Sequence, residues 1–326
     1  MQISPTLPAE LKAALDGKLQ GFSRSDAAQR SQRISTAYRA GGGSGTIKSE
    51  ADALAYALAR MPATYAAVAA SVNALTEIAP DLAPETLLDV GAGPGTASWA
   101  AAEAFPSLQD FTLLDANATL SRLALELARD STRLADCRYL PGDASGNLAE
   151  VSQADLVIAS YVINELGEAE QRKLAEAMWA KARHALVVIE PGTPAGYARI
   201  LALRKQLISA GAFVAAPCPH ERPCPLIAPD WCHFSQRLPR SQAHRQIKGA
   251  EVPFEDERFI YVALTRTPPA MRAARVLAPP DIGKAEITAK LCTEAGVAPA
   301  KVPRRDKAAY ADARRWRWGD AVMSES

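Results

Sequence analysis

The chain has 326 residues, 48% of them hydrophobic, with 37 Lys and Arg against 36 Asp and Glu. That is enough for one large core and a smaller satellite, and no apolar run approaches the ~20 residues of a membrane span. The near-neutral total hides a division: residues 1–40 hold six Lys/Arg against three Asp/Glu and residues 237–318 hold seventeen against nine, around an acidic middle. Basic ends of this kind suit a polyanion touched by both, the alternative being solvated faces of ordinary helices and strands.

The opening MQISPTLPAELKAALDGK lacks a basic segment followed by an apolar one and carries acids early. It reads as neither a secretory signal nor a transit peptide, which sets the expectation of a cytoplasmic protein. Residues 1–80 read as a helical region, with Ser23 or Ser25 as a cap, a glycine break at 41–45 and Pro62 ending or kinking a helix. From residue 81 the texture becomes short apolar strands alternating with helices: TLLDV, DFTLLD, CRYLP, ADLVIAS and HALVVIEP, then ERFIYVALTR. This rhythm predicts an α/β fold, a doubly wound Rossmann-like sheet over 81–270 that includes a cysteine loop at 217–235. Residues 271–326 read as a basic, mostly β appendage.

The stretch LLDVGAGPGTAS follows the first strand and opens a helix. Gly91, Gly93 and Gly95 let the backbone turn sharply and approach a ligand, and Asp89 stands just before them. The G-x-G-x-G spacing departs from the dinucleotide fingerprint and resembles the first motif of S-adenosylmethionine (SAM)-dependent methyltransferases. In that resemblance Asp115, ending the second strand, accepts from the ribose hydroxyls, and Asp143 in GDA meets the adenine amino group. An ordinary βα turn with capping acids is the plain alternative. The stretch after the fourth strand, ASYVINEL, has neither an Asn-Pro-Pro-aromatic loop nor a cysteine nucleophile. Asn164, Glu165 and Glu190 are weak catalytic candidates on that rim, and Asn164 and Glu165 read at least as well as a helix cap and a solvated acid.

The chain has five cysteines. An odd number without a secretory signal argues against a disulfide framework. Cys218, Cys224 and Cys232 share one loop, and Cys292 follows in AKLCTEAG. Four thiolates can close on zinc or on an iron–sulfur cluster; the wide gaps suit the larger group without excluding zinc, and His220 or His233 can replace a thiol. Cys137 reads as a core thiol inside a strand.

Taken together, APCPHERPCPLIAPDWCHFSQR, KLCTEAG and RRWRWGD resemble the methyltransferase-like assembly factors of the mitochondrial small ribosomal subunit and their bacterial relatives. The likeness runs from about residue 40 onward. It implies a SAM-binding Rossmann-like domain, a [4Fe–4S] cluster on Cys218, Cys224, Cys232 and Cys292, and action on small-subunit rRNA during ribosome assembly and translation. It does not itself imply a defined methylated nucleotide. A non-catalytic assembly factor and a zinc-containing small-molecule methyltransferase are the alternatives. Arg314, Arg315 and Arg317 interleave with Trp316 and Trp318, a pattern able to clamp phosphates and stack bases unless the indoles pack inward. A monomer that touches rRNA and no membrane is expected.

Overall fold

The computed structural model describes residues 2–39, 43–143 and 146–322, and of Arg39 and Ala243 the backbone alone. Gly41 and Gly42 of the glycine break, and Ala144 of the GDA turn, lie outside the described residues. Helices α1 (Ala9–Lys18) and α2 (Arg24–Arg39) lead into the long α3 (Glu50–Ile78). Ser23 precedes α2 and its hydroxyl accepts from the Asp26 amide. A capping box of Ser49 and Asp52 starts α3.

Pro62 neither ends nor breaks α3, contrary to the sequence expectation. An interior proline costs about 3 kcal/mol through a lost hydrogen bond and a ring clash. The burial of Met61, Tyr65, Ala66, Val68, Val72 and Leu75 around it outweighs that local penalty.

The alternating region supplies β1 (Thr86–Val90), α4 (Thr96–Ala104), β2 (Asp110–Asp115), α5 (Ala118–Ala128), β3 (Arg138–Pro141) and β4 (Ala154–Ser160). It continues through α6 (Glu168–Lys181), β5 (Ala182–Pro191), α7 (Pro194–Ser209), β6 (Phe213–Ala216), β7 (Phe234–Pro239), α8 (Gln242–Lys248) and β8 (Phe254–Thr265). The strand order is β3-β2-β1-β4-β5-β8-β6, with β7 on the outer part of β8. Strands β1 to β5 are parallel; β8 runs antiparallel to both β5 and β6. The near-continuous apolar runs of β4 and β5 are buried throughout their centres, as strands covered on both faces must be.

Strands β9 (Ala274–Val276), β10 (Asp281–Ile282), β11 (Glu286–Thr293) and β12 (Gly296–Pro303) follow, then α9 (Lys307–Ala313) and β13 (Ala321–Val322). These five strands form a second, antiparallel sheet with its own small core around Val276, Ala289 and Leu291. Helices α1 to α3 share the core of the large sheet. Among the described residues no helix is long and apolar enough to cross a membrane.

Candidate functional site

The chain order reverses between β1 and β4, and in open α/β sheets ligands bind outside the carboxyl ends of the strands at that switch point. The glycine loop sits there. Gly91, Gly93 and Gly95 have φ of 68°, 53° and 80°, a region that side chains rarely tolerate. A Cβ at Gly91 would lie 2.5 Å from Val162 Cγ2, so the loop after β4 presses on the glycine turn. The Gly93 amide donates to Asp115 Oδ2 (2.9 Å) and the Asn117 amide to Asp115 Oδ1 (2.7 Å). Burial pushes the Asp115 carboxyl up against the pull of these two donors. The Tyr139 hydroxyl donates to the Gly93 carbonyl (2.6 Å).

Gly91, Gly93, Asp115 and Asp143 line one cleft, together with Glu165. Asp89 does not reach it. The Asp89 carboxylate is wholly buried and accepts from the Ser98 amide (3.1 Å) and hydroxyl (2.8 Å), tying β1 to the first turn of α4. Its Oδ1 has no partner, and burial pushes its pKa up to about 7.

The three weak catalytic candidates separate. Glu190 is fully buried, paired with Arg199 (2.7 Å), and accepts from the Asn164 amide (3.3 Å). It anchors the turn after β4 from beneath. Glu165 accepts from the Ser44 amide (3.2 Å) at the mouth of the cleft. Asn164 lines a second, larger cavity of about 760 Å³ that adjoins the first.

Sequence reasoning missed the wall between these two cavities. Tyr38, Tyr56, Arg60 and Tyr161 line both. Tyr161 has φ 59°, the one non-glycine residue with positive φ among those described, and strain of this kind gathers at functional sites. Its hydroxyl donates to Glu257 Oε1 (2.9 Å), which also pairs with Arg60 (3.3 Å).

A separate cavity lies where the two sheets meet. Cys218, Cys224 and Cys232 line it from the loop between β6 and β7, and Cys292 from β11. Cys137 is elsewhere, buried one residue before β3 rather than within it. Tyr197 of α7 donates to Cys224 Sγ (3.1 Å). Arg204 and Arg275, 4% and 2% exposed, line the same cavity and spend their donors on the carbonyls of His220, Pro217 (3.2 Å) and Gly319 (2.9 Å). Burial pushes the Cys218, Cys232 and Cys292 thiols up, Cys292 to about 12, and the guanidinium charges pull the other way. Among the described residues, no three His, Cys, Asp or Glu side chains stand in the arrangement of a single-ion site. Neither His220 nor His233 lines the cavity.

At the C-terminal end Arg314, Arg315 and Arg317 are exposed while the indoles turn inward. Trp316 packs on the core of the second sheet, and Trp318 meets His233 edge-on at 4.7 Å. The half-buried indoles therefore follow the inward-packing alternative that the sequence left open, and the guanidinium groups remain on the surface.

The strand order, the antiparallel β8 and the glycine turn at the switch point define a Rossmann-like methyltransferase fold. The chain belongs to the Rsm22 family, described as mitochondrial small ribosomal subunit Rsm22, whose model matches residues 50–323. It is 29% identical over 294 residues to the human ribosome assembly protein METTL17, mitochondrial, covering 82% of this chain and 62% of that one. It is 24% identical over 330 residues to Rsm22-cox11 tandem protein 2, mitochondrial, of Schizosaccharomyces pombe, covering 83% of this chain and 43% of that one. The chain thus spans less than two thirds of either relative. Among solved structures, magnesium protoporphyrin IX methyltransferase of Synechocystis PCC 6803 with bound SAM is similar at a TM-score of 0.41 and 14% identity, over 71% of this chain and 89% of that one. The expectation of a cytoplasmic protein is corrected by these relatives, which are named as mitochondrial.

Proposed function

We propose that this protein is a SAM-binding assembly factor of the small subunit of a mitochondrial-type ribosome, working on small-subunit rRNA and stapled by a [4Fe–4S] cluster. The observation that carries the reading is the convergence of Cys218, Cys224, Cys232 and Cys292 on one cavity with two buried guanidinium groups. A buried charge needs a partner. An oxidised cubane with four thiolates carries about two negative charges, which Arg204 and Arg275 would balance. The wide sequence gaps between the cysteines, five and seven residues inside the loop, suit such a cluster better than a compact zinc knuckle. The cluster would join the cysteine loop of the large sheet to β11 of the second, making its binding part of folding.

The cofactor cleft fits SAM by its donor set. The backbone of Gly91 and Gly93 approaches without a Cβ, Asp115 offers carboxylate lone pairs for ribose hydroxyls, and Asp143 lines the same cleft for the adenine amino group, while Gly95 faces Leu113 and Ala124 instead. When bound, SAM supplies an electrophilic methyl group. The exposed Arg314, Arg315 and Arg317 supply phosphate contacts that carry no sequence information. The assembly role itself rests on the family.

A second reading, methyl transfer to rRNA, is favoured by the large cavity that opens on the cofactor cleft at Tyr161. Anaerobic purification with iron, sulfide and zinc counts, together with SAM titration, tests the first reading; about four irons and four sulfides per chain are expected. A colourless protein with about one zinc, or one that ignores SAM, overturns it. A methylation map of rRNA from a deletion strain separates the two: one missing mark supports the enzyme, unchanged marks with stalled small subunits the factor.

A further inference from the structure

The cavity beside the cofactor cleft has the makings of a nucleotide site. Its volume, about 760 Å³, falls in the range of small-molecule pockets, roughly 300–1,000 Å³. Three kinds of group line it. Tyr38 and Tyr56 stack on each other at 5.8 Å with 21° between their planes, and Tyr161 stands on the same wall. Aromatic faces of this kind receive unpaired bases by stacking, whatever the base. Gln32, Asn164 and Gln246 bring side-chain amides, which can both donate to and accept from a base edge. Arg60, Arg240 and Lys248 bring three cations.

Those cations are partly spent. Arg240 and Lys248 share one carboxylate, Glu255, and Arg60 pairs with Glu257. Three positive charges face two negative ones, so the rim keeps a surplus for a phosphate. The position of Tyr161 adds a second argument. Its backbone is held in a costly conformation, and its ring lies beneath the Arg60 guanidinium (5.9 Å to the centroid), its hydroxyl fixed on Glu257. This holds a flat wall where the larger cavity meets the cofactor cleft.

We infer that this cavity receives a single unpaired nucleotide of an RNA strand, its base against Tyr38, Tyr56 and Tyr161 and its phosphate against Arg240 and Lys248. The inference rests on the RNA-binding reading above and deepens it by naming the place where one nucleotide leaves the strand. Single-stranded rather than duplex RNA is required, because a stacked and paired base cannot enter a walled cavity.

The test is photocrosslinking of the full chain to a short single-stranded RNA containing 4-thiouridine, with the modified peptides mapped by mass spectrometry. Peptides containing Tyr38, Tyr56 or Tyr161 are expected. In parallel, Ser31→Trp places an indole in the cavity from α2 and should weaken single-strand binding about tenfold with an unchanged melting temperature. Because that variant can also disturb α2, Arg240→Gln and the charge-preserving Arg240→Lys form an independent pair: the first should lose affinity several-fold and the second recover most of it. Crosslinks confined to the Arg314–Arg317 surface, with all variants binding as the parent does, overturn the cavity assignment while RNA binding stands. Absence of any RNA binding overturns this inference together with the RNA role, yet leaves SAM and cluster binding as separate results.

Discussion

Cys292 of β11 stands directly opposite Arg275 of β9 in antiparallel register, so one cavity wall presents a thiol and a buried guanidinium side by side. The pairing puts a cysteine of the second sheet within the same enclosure as three from the loop of the first. Cys292→Ser should therefore lower iron content and stability together. A fall of roughly 3 °C in melting temperature is expected, corresponding to about 2 kcal/mol for a chain of this size. Differential scanning fluorimetry on anaerobically purified protein gives the answer. Unchanged melting in a protein stripped of iron would mean that the group does not staple the sheets.

Asp115 accepts two backbone amides while facing the cofactor cleft. Asp115→Ala removes the brace of the glycine loop and, under the proposed function, the acceptor for ribose. Charge-assisted hydrogen bonds of this type contribute about 1.5–3 kcal/mol each, so SAM affinity should fall at least tenfold by calorimetry. Retention of full affinity would place the cofactor elsewhere.

Gly91→Ala meets two obstacles, a φ of 68° and Val162 Cγ2 at 2.5 Å. The expected cost is about 1–3 kcal/mol of stability, read by chemical denaturation. Adding Val162→Gly should restore part of it, because it removes both Val162 Cγ2 (2.5 Å) and Val162 Cβ (2.7 Å) from the new methyl while the backbone strain persists. No recovery in the double variant would show that φ alone sets the cost.

Asp89 gives a pH signature. Its folded pKa, about 7, lies above that of an unfolded aspartate near 3.8, so the folded state holds the extra proton in between. The associated stability is full below the lower value and is lost as pH rises through the upper one. Asp89→Asn cannot ionise and should gain stability relative to the parent between pH 5 and pH 8. Parallel melting curves across that range for the two proteins would contradict the assignment.

Arg315 and Arg317 are exposed on the basic C-terminal surface. Replacing both with Gln should weaken RNA binding uniformly across sequences. The slope of log affinity against log salt should drop by about 1 for each phosphate that is no longer neutralised, measured by fluorescence anisotropy. A sequence-selective weakening would instead indicate base readout.

Much of the architecture was readable from local pattern. The five parallel strands and the glycine turn announce themselves because buried strands are short apolar runs and turns need glycine. The parts that escaped depend on distant partners. Nothing local says that β8 inserts antiparallel beside β5, since that is a property of the assembled sheet. Strand β6 is only four residues long, and β7, FSQRLP, carries too few apolar residues to read as a strand. The continuous α3 escaped because Pro62 is a strong local signal, overridden only by tertiary burial. The site divides the same way. The four cysteines were visible as residues, whereas Arg204 and Arg275 reach them from α7 and β9. Tyr38, Tyr56, Arg60 and Tyr161 come from α2, α3 and the turn after β4, and no spacing rule joins them. ASYVINEL did contain Tyr161, but its backbone strain has no sequence signature.

The cysteine cavity also imposes an order on synthesis. Three of its thiols emerge with the large sheet, but its last wall, β11, is made later and must fold back across the seam. A growing chain can finish its methyltransferase sheet while this enclosure is still open to solvent. The four thiols therefore share one enclosure only after the late-made sheet has docked, so their meeting marks the end of folding rather than its beginning.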